Sequence, residues 1–266
     1  MLVVVFACWL PGATAAAAEE QQGWEFEVGT GVIYAPDYSG AKASSARLRL
    51  WADGVYHTTG LGSFAIDSGS LTIAPELRWD FVDSRDVGAG VLVGYRTGRN
   101  DRNPGFSNAD DGSARLRGLP NVNNAVDAGV AAHVAILGIP LFAQLRVALN
   151  GSQGTLVNFG AYVPISRGSA FEVTVLPTIT WANARQMRAF YGVDTTMSTA
   201  SRFAAYGPRA GLENAALEIS GDWRIAGGWH LIVSGAYQRL LGNAARSPLV
   251  QTSNQTSALT GITWHF

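Results

Sequence analysis

Apolar side chains recur at alternate positions along this chain, in one segment after another of about ten residues. Near the start, Trp24, Phe26, Val28, Val32 and Tyr34 alternate with Glu25, Glu27, Gly29 and Gly31. Further on, Val87, Val91, Val93 and Tyr95 alternate with Gly88, Gly90, Gly94 and Arg96. Phe171, Val173, Val175, Ile179 and Trp181 alternate with Glu172, Thr174, Thr178 and Thr180. A period of two marks a strand with one apolar face. About ten residues is the length a tilted strand needs to cross a bilayer, and nearly twice the ~5–6 residues of a sandwich strand. Beyond residue 18 no run of 18 apolar residues occurs, which argues against a membrane-spanning helix. The pattern predicts an all-β fold: an up-and-down antiparallel transmembrane β-barrel, apolar toward lipid, with a charged and glycine-rich face toward its lumen.

Aromatic residues fall near the segment ends, as in Trp24 with Tyr34, Trp79 with Phe81, Phe171 with Trp181, Trp229 with Tyr237 and Trp264 with Phe266. That placement suits two aromatic girdles at the lipid boundaries. Eleven segments are clear, one of them running through Leu71, Ile73, Leu77, Trp79 and Phe81. The long irregular stretches are 97–125, 183–211 and 242–254; the short ones are 82–86, 137–138, 166–168 and 226–228. Eleven strands put the first long stretch on the wrong side, since such barrels keep short turns at the periplasmic end. Gly62–Asp67, with Phe64 and Ile66 outward, supplies the missing strand. The count is then twelve, with ten as the alternative, and both termini are expected in the periplasm.

Composition agrees with this reading. Charged residues are 15% of the 266, against roughly 25% in an average soluble domain, while hydrophobic residues are 47%. Mean hydropathy is nevertheless only +0.10, because the apolar residues are interspersed. The net charge of −1 gives no reason to expect nucleic acid as a partner. Residues 1–18, MLVVVFACWLPGATAAAA, have the apolar core and small-residue end of a secretory signal peptide, without a basic start. The expected division is a signal peptide over 1–18 and the barrel over 19–266. A membrane anchor, for which the apolar run is too short, and a lipoprotein signal at Cys8 are the rival readings. Cys8 is the only cysteine, so a mature chain cleaved after Ala18 has neither disulfide nor thiolate.

The lumen face offers Glu25, Glu27, Arg47, Arg49, Asp53, Glu76, Arg78, Asp80, Arg96, Asp127, His133, Arg146, Glu172, Glu218, Asp222, Arg224 and His230. Acids and bases are nearly balanced, as a packed, ion-paired interior requires; an ion or solute path through the same residues is the alternative. Catalysis needs a histidine beside an acid at a rim. His133 and His230 lie in strands and could meet Asp127 or Asp222; His265 falls at the periplasmic end and His57 in a turn. Nothing in the sequence joins them, so no catalytic residue is assigned. No His/Asp group has metal-ligand spacing and no glycine run cradles phosphate, so no metal or cofactor is expected. Asp110 and Asp111 could attract Ca²⁺, but a solvated loop explains them better.

Three motifs resemble the MipA/OmpV family of outer-membrane proteins: Tyr34-Ala-Pro-Asp-Tyr-Ser-Gly40, Phe190-Tyr-Gly-Val193, and Tyr237-Gln-Arg-Leu-Leu-Gly-Asn-Ala-Ala-Arg-Ser-Pro-Leu-Val250. In the last, Asn243 stands where the family pattern has Asp. The resemblance runs in order through nearly the whole mature chain. It implies a barrel in the outer membrane of a Gram-negative bacterium, contacting outer-membrane lipid. It also implies a non-enzymatic scaffold, joining a lytic transglycosylase to a peptidoglycan synthase. A small channel and an outer-membrane hydrolase are the other functions the residues leave open. From the residues alone, Pro36, Gly40 and Pro248 read as shapers of loops at strand ends.

Overall fold

The computed structural model describes residues 23–106, 111–168 and 170–266. The expected signal peptide lies outside them. Twelve antiparallel strands form one closed barrel: β1 (Gly23–Pro36), β2 (Ser44–Thr58), β3 (Gly62–Asp67), β4 (Glu76–Asp83), β5 (Val87–Arg96), β6 (Ala125–Ile136), β7 (Ile139–Ala148), β8 (Thr155–Ala161, resuming at Val163–Arg167), β9 (Phe171–Ala182), β10 (Gly211–Ala226), β11 (Trp229–Leu240) and β12 (Asn254–His265). Every strand pairs with its neighbour in sequence. The last returns to the first, with Glu27 opposite His265 and Ile33 opposite Leu259. Closure leaves no edge with unpaired N–H and C=O groups, the condition for a sheet to stand in hydrocarbon.

The alternation holds around the wall. Val28, Val32, Leu48, Leu50, Val91, Val130, Leu145, Ile219 and Val233 are exposed on the outside. Glu27, Arg78, Asp127, Arg146, Glu218 and Ser234 are buried within. Tight turns gather at one end, at 59–61, 84–86, 137–138 and 227–228, and the long loops at the other. A belt of rings circles the turn end. Trp24 meets Tyr56 at 5.0 Å, Phe26 meets Phe266 at 5.9 Å, Phe171 stacks on Trp223 at 6.1 Å, and Trp229 meets Trp264 edge-on at 5.1 Å. Tyr34, Tyr95 and Tyr237 are exposed toward the loop end. The ten steps from Trp24 to Tyr34, at ~3.4 Å each and ~40° of tilt, separate the girdles by roughly 26 Å, the height of a bilayer's apolar band.

Gly62–Asp67 is a strand, as the parity argument requires, and the count is twelve. Two expectations fail. Leu71 and Ile73 do not extend the outward row of β4. The β3–β4 hairpin stops at Asp67 opposite Glu76, and residues 68–75 fold into the lumen. Pro75 has no N–H to offer a neighbouring strand, and its carbonyl instead accepts from Tyr95 N. The spacing from Ile73 to Leu77 is even in number only. Ile73 is buried among the inward side chains Leu92, Ala131, Phe142 and Leu176. His57, expected in a turn, is instead near the end of β2.

The outward row makes a direct prediction. Ile219 is exposed near the middle of β10. Ile219→Arg should cost about 2–4 kcal/mol of folding free energy, the range for Arg at a bilayer midplane. Urea titration in lipid vesicles, followed by heat-modifiable gel mobility, measures it.

Candidate functional site

Strand alternation sends six charged side chains of β4–β7 into the lumen, where they form one chain of ion pairs. Arg78 bridges Glu76 (2.8 Å) and Asp80 (2.8 Å) along β4. Arg146 lies 3.6 Å from Glu76 and 3.6 Å from Asp127. Arg96 grips Asp127 with two hydrogen bonds of 2.7 and 2.8 Å. Three acids and three arginines alternate, so the charge sums to zero. Burial of such groups is tolerated only with this complete pairing. Gly94 makes room for it: a Cβ there would stand 1.9 Å from Arg146 Nη2.

Residues 68–75 cross the lumen beside this chain. Arg49 of β2 donates to the carbonyls of Ser68 (2.8 Å) and Gly69 (2.6 Å). Arg146 of β7 donates to those of Ala74 (3.0 Å) and Pro75 (2.8 Å). From the opposite wall, Glu218 of β10 accepts from Ser70 Oγ (2.7 Å), Thr72 Oγ1 (2.9 Å) and Leu71 N (3.3 Å). Ile73 fills the centre between Leu92, Ala131, Phe142 and Leu176, with Tyr162 packed alongside. The segment is a plug tied to three sides of the barrel. Its ties are charge-assisted bonds in a low-dielectric interior, each worth more than a neutral pair.

Above the plug, the loops form a cap with its own apolar core. Helix α1 (Ala184–Tyr191) starts at Asn183, whose side chain accepts from Gln186 N. Gln186 Oε1 in turn accepts from Arg96 (3.1 Å) and Gly154 N (2.9 Å), tying the helix to the lumen chain. Met187 and Tyr191 are fully buried against Leu240 and Ala244. Tyr38, Leu116, Leu119, Val193, Phe203 and Leu249 form a second cluster beside α2 (Thr195–Ala200).

The three motifs singled out in the sequence meet here. Tyr38 Oη donates to Leu249 O (3.0 Å), Ser39 Oγ lies 2.8 Å from Tyr191 Oη, and Ser247 Oγ donates to Tyr191 O (2.7 Å). Gly40, at φ +96°, packs against Val250, and its carbonyl accepts from Gln251 N. Asn243 accepts from Arg246 (2.8 Å) and donates to Arg209 O (3.1 Å), and the second bond needs the amide that Asp lacks. Burial pushes the Tyr191 phenol well above its ordinary range. Burial also pulls Arg99, which donates to Phe190 O at 2.7 Å, down to about 10. Pro36, Gly40 and Pro248 therefore do more than shape separate loops: their motifs assemble a single lid.

A different arrangement occupies the turn end. Asp222 of β10 is 2.7 Å from His230 Nδ1 of β11. The ring of His230 stacks on that of His265 of β12 at 3.9 Å, and His265 Nε2 is 2.8 Å from Glu27 Oε2 of β1. The pairing of His230 with Asp222 is one of the two weighed from sequence. The other, His133 with Asp127, does not form, because Asp127 is held by Arg96 and Arg146. Sequence spacing missed the four-residue group. Its members are 195 and more residues apart at the extremes, and only the register of β1 with β12 brings Glu27 opposite His265. Of the remaining candidates, Arg47 pairs with Asp111 at 2.7 Å, Glu172 with Arg167 at 3.8 Å, and His57 with Asp83 at 3.5 Å. Asp53 holds the start of the plug through Ser68 N. Glu25 and Arg224 are exposed. Asp110 lies outside the described residues.

A closed twelve-strand barrel with lipid-facing apolar rows, two aromatic girdles and a filled lumen defines an outer-membrane β-barrel protein. The family model described as "MltA-interacting protein MipA" matches residues 28–266, and the chain belongs to that family. It is 27% identical over 164 residues to the MltA-interacting protein of Escherichia coli K12, and equally to that of Shigella flexneri. That alignment covers 60% of this chain and 64% of each relative, so the chain spans less than two thirds of their length. Among solved structures, it is similar to OprB of Pseudomonas putida (7% identity, TM-score 0.44, 92% of this chain and 94% of that one). It is also similar to the COG4313 outer-membrane channel of Pseudomonas putida F1 (9% identity, TM-score 0.41, 96% and 100%). Those scores are too low to carry over any property of either protein.

The plug's dependence on Glu218 can be read by chemical labelling. A cysteine introduced at Leu71 should react slowly with an impermeant maleimide in the otherwise unchanged barrel. Adding Glu218→Ala should raise the rate at least about tenfold, since charge-assisted bonds contribute roughly 1.5–3 kcal/mol. An unchanged rate means that Glu218 does not hold the segment.

Proposed function

We propose that the protein is a non-enzymatic scaffold of the cell envelope. In this reading it is anchored in outer-membrane lipid and gathers a lytic transglycosylase, and with it a peptidoglycan synthase, at its periplasmic rim. The observation that carries the proposal is the filled lumen. Plug, ion-pair chain and cap take up the interior where a solute path would run, which leaves the two rims and the lipid face as the accessible surfaces. The name of the related proteins, MltA-interacting protein, supports a partner of the lytic transglycosylase type. The short turns then face the periplasm, as in barrels of this class, and the termini with them.

Two exposed leucines mark the turn end. Leu61 lies in the turn after β2, and Leu137, 97% exposed at φ +52°, lies in the turn before β7. A bulky apolar side chain in left-handed backbone on a hairpin tip has no folding rationale, because Asn or Gly is preferred there. A partner surface supplies one. The refolded barrel should retain a purified lytic transglycosylase of the same cell envelope in detergent. Leu61→Asp with Leu137→Asp should weaken retention at least about tenfold while gel mobility stays that of the folded barrel, a loss of ~1.4 kcal/mol. A barrel that retains no such enzyme overturns the scaffold reading. Retention unaffected by the two substitutions moves the contact away from these turns.

A further inference from the structure

We propose that the turn-end cluster of Asp222, His230 and His265, with Glu27 beside it, binds a divalent transition-metal cation of the zinc class. One nitrogen or oxygen from each of Asp222, His230 and His265 already lies within 4.8 Å of the others. A tetrahedral Zn²⁺ with bonds of ~2.0–2.2 Å spaces its ligand atoms roughly 3.4 Å apart. Binding therefore requires the 2.7 Å contact between Asp222 and His230 to open and the stacked rings of His230 and His265 to turn toward a common point. Imidazole with carboxylate is a donor set suited to Zn²⁺, Ni²⁺ and Cu²⁺ rather than to Mg²⁺ or Ca²⁺.

The second observation is what these groups lack. The side chains of Glu27 and His265 are each only 5% exposed. Nδ1 of His265 has no hydrogen-bond partner, and its Nε2 faces Glu27 Oε2 at 2.8 Å without the alignment of a hydrogen bond. Orphaned buried polar atoms are costly and rare, and two on one ring call for an explanation. Charge points the same way. Asp53 sits directly across from Glu27 in the β1–β2 register, and the ion-pair partners of Glu27 and Asp222 among the described residues are these histidines. A 2+ cation would favour the ionised form of these acids and fill the vacant imidazole lone pairs.

The three ligands come from β10, β11 and β12, with Glu27 of β1 against His265, so the cation would sit beside the seam where the last strand meets the first. Asp222 and His230 are the less buried pair, 14% and 13% exposed, which gives solvent a way in. Each ligand is an ordinary inward position of its strand, so the site needs no departure from the barrel's regular geometry. It is also independent of the scaffold reading.

The test uses tag-free, full-length barrel refolded in detergent and stripped with a chelator, because a histidine tag would bind the same metals. Calorimetric titration with Zn²⁺ should give about one equivalent per barrel. His265→Gln should weaken binding at least about tenfold, and His133→Gln, on the far wall, should leave it unchanged. Co²⁺ should give the intense visible bands of four-coordinate N/O ligation. Gel mobility reports folding; where His265→Gln does not fold, His230→Gln and Asp222→Asn stand in for it with the same expected loss. The absence of saturable Zn²⁺ binding, or equal binding by wild type and by the folded variants, overturns the proposal.

Discussion

Everything in this molecule follows from closing the sheet. In hydrocarbon no water is available to a backbone N–H or C=O, so each must find a partner within the wall. Pairing of β1 with β12 meets that demand, and it fixes which side chains face in. Because the side-chain period is two, a slip of one residue would turn every lumen charge toward lipid. The register therefore has one workable value, and with it the ion-pair chain, the plug ties and the turn-end pocket are all positioned together.

The lumen is filled by neutral assemblies rather than by bulk. Asp80, Arg78, Glu76, Arg146, Asp127 and Arg96 cancel one another's charge in sequence. Arg146 and Glu218 then spend their remaining hydrogen-bonding capacity on the plug's backbone and hydroxyls. Such a network is worth little net stability compared with an apolar core, but breaking one member leaves an unpaired buried charge. It holds one arrangement against others. The cap repeats the tactic with apolar packing, and Gln186 joins cap to lumen through Arg96.

Much of this was legible in the sequence. The alternation gave the barrel, the inward charges and the outward aromatics, and loop parity located the short β3. Leu71 and Ile73 were misread because a period-two row looks the same whether its strand continues or folds inward; Pro75 was the available signal. The motifs around Tyr38, Tyr191 and Ser247 were visible as motifs, but their meeting was not, since contacts over 56 and 152 residues leave no local trace. The Glu27–His265 pairing was hidden for the same reason. It exists only through closure, and a linear spacing rule for metal ligands is blind to cross-strand neighbours.

Single-channel recording in a planar bilayer shows whether this barrel is sealed. The folded wild-type protein should give no steady conductance above the bare membrane, because the plug and the ion-pair chain stand across the interior. A stable open level from protein of folded gel mobility would contradict that. The charged face would then be a permeation path, and the rims would lose their claim to the function.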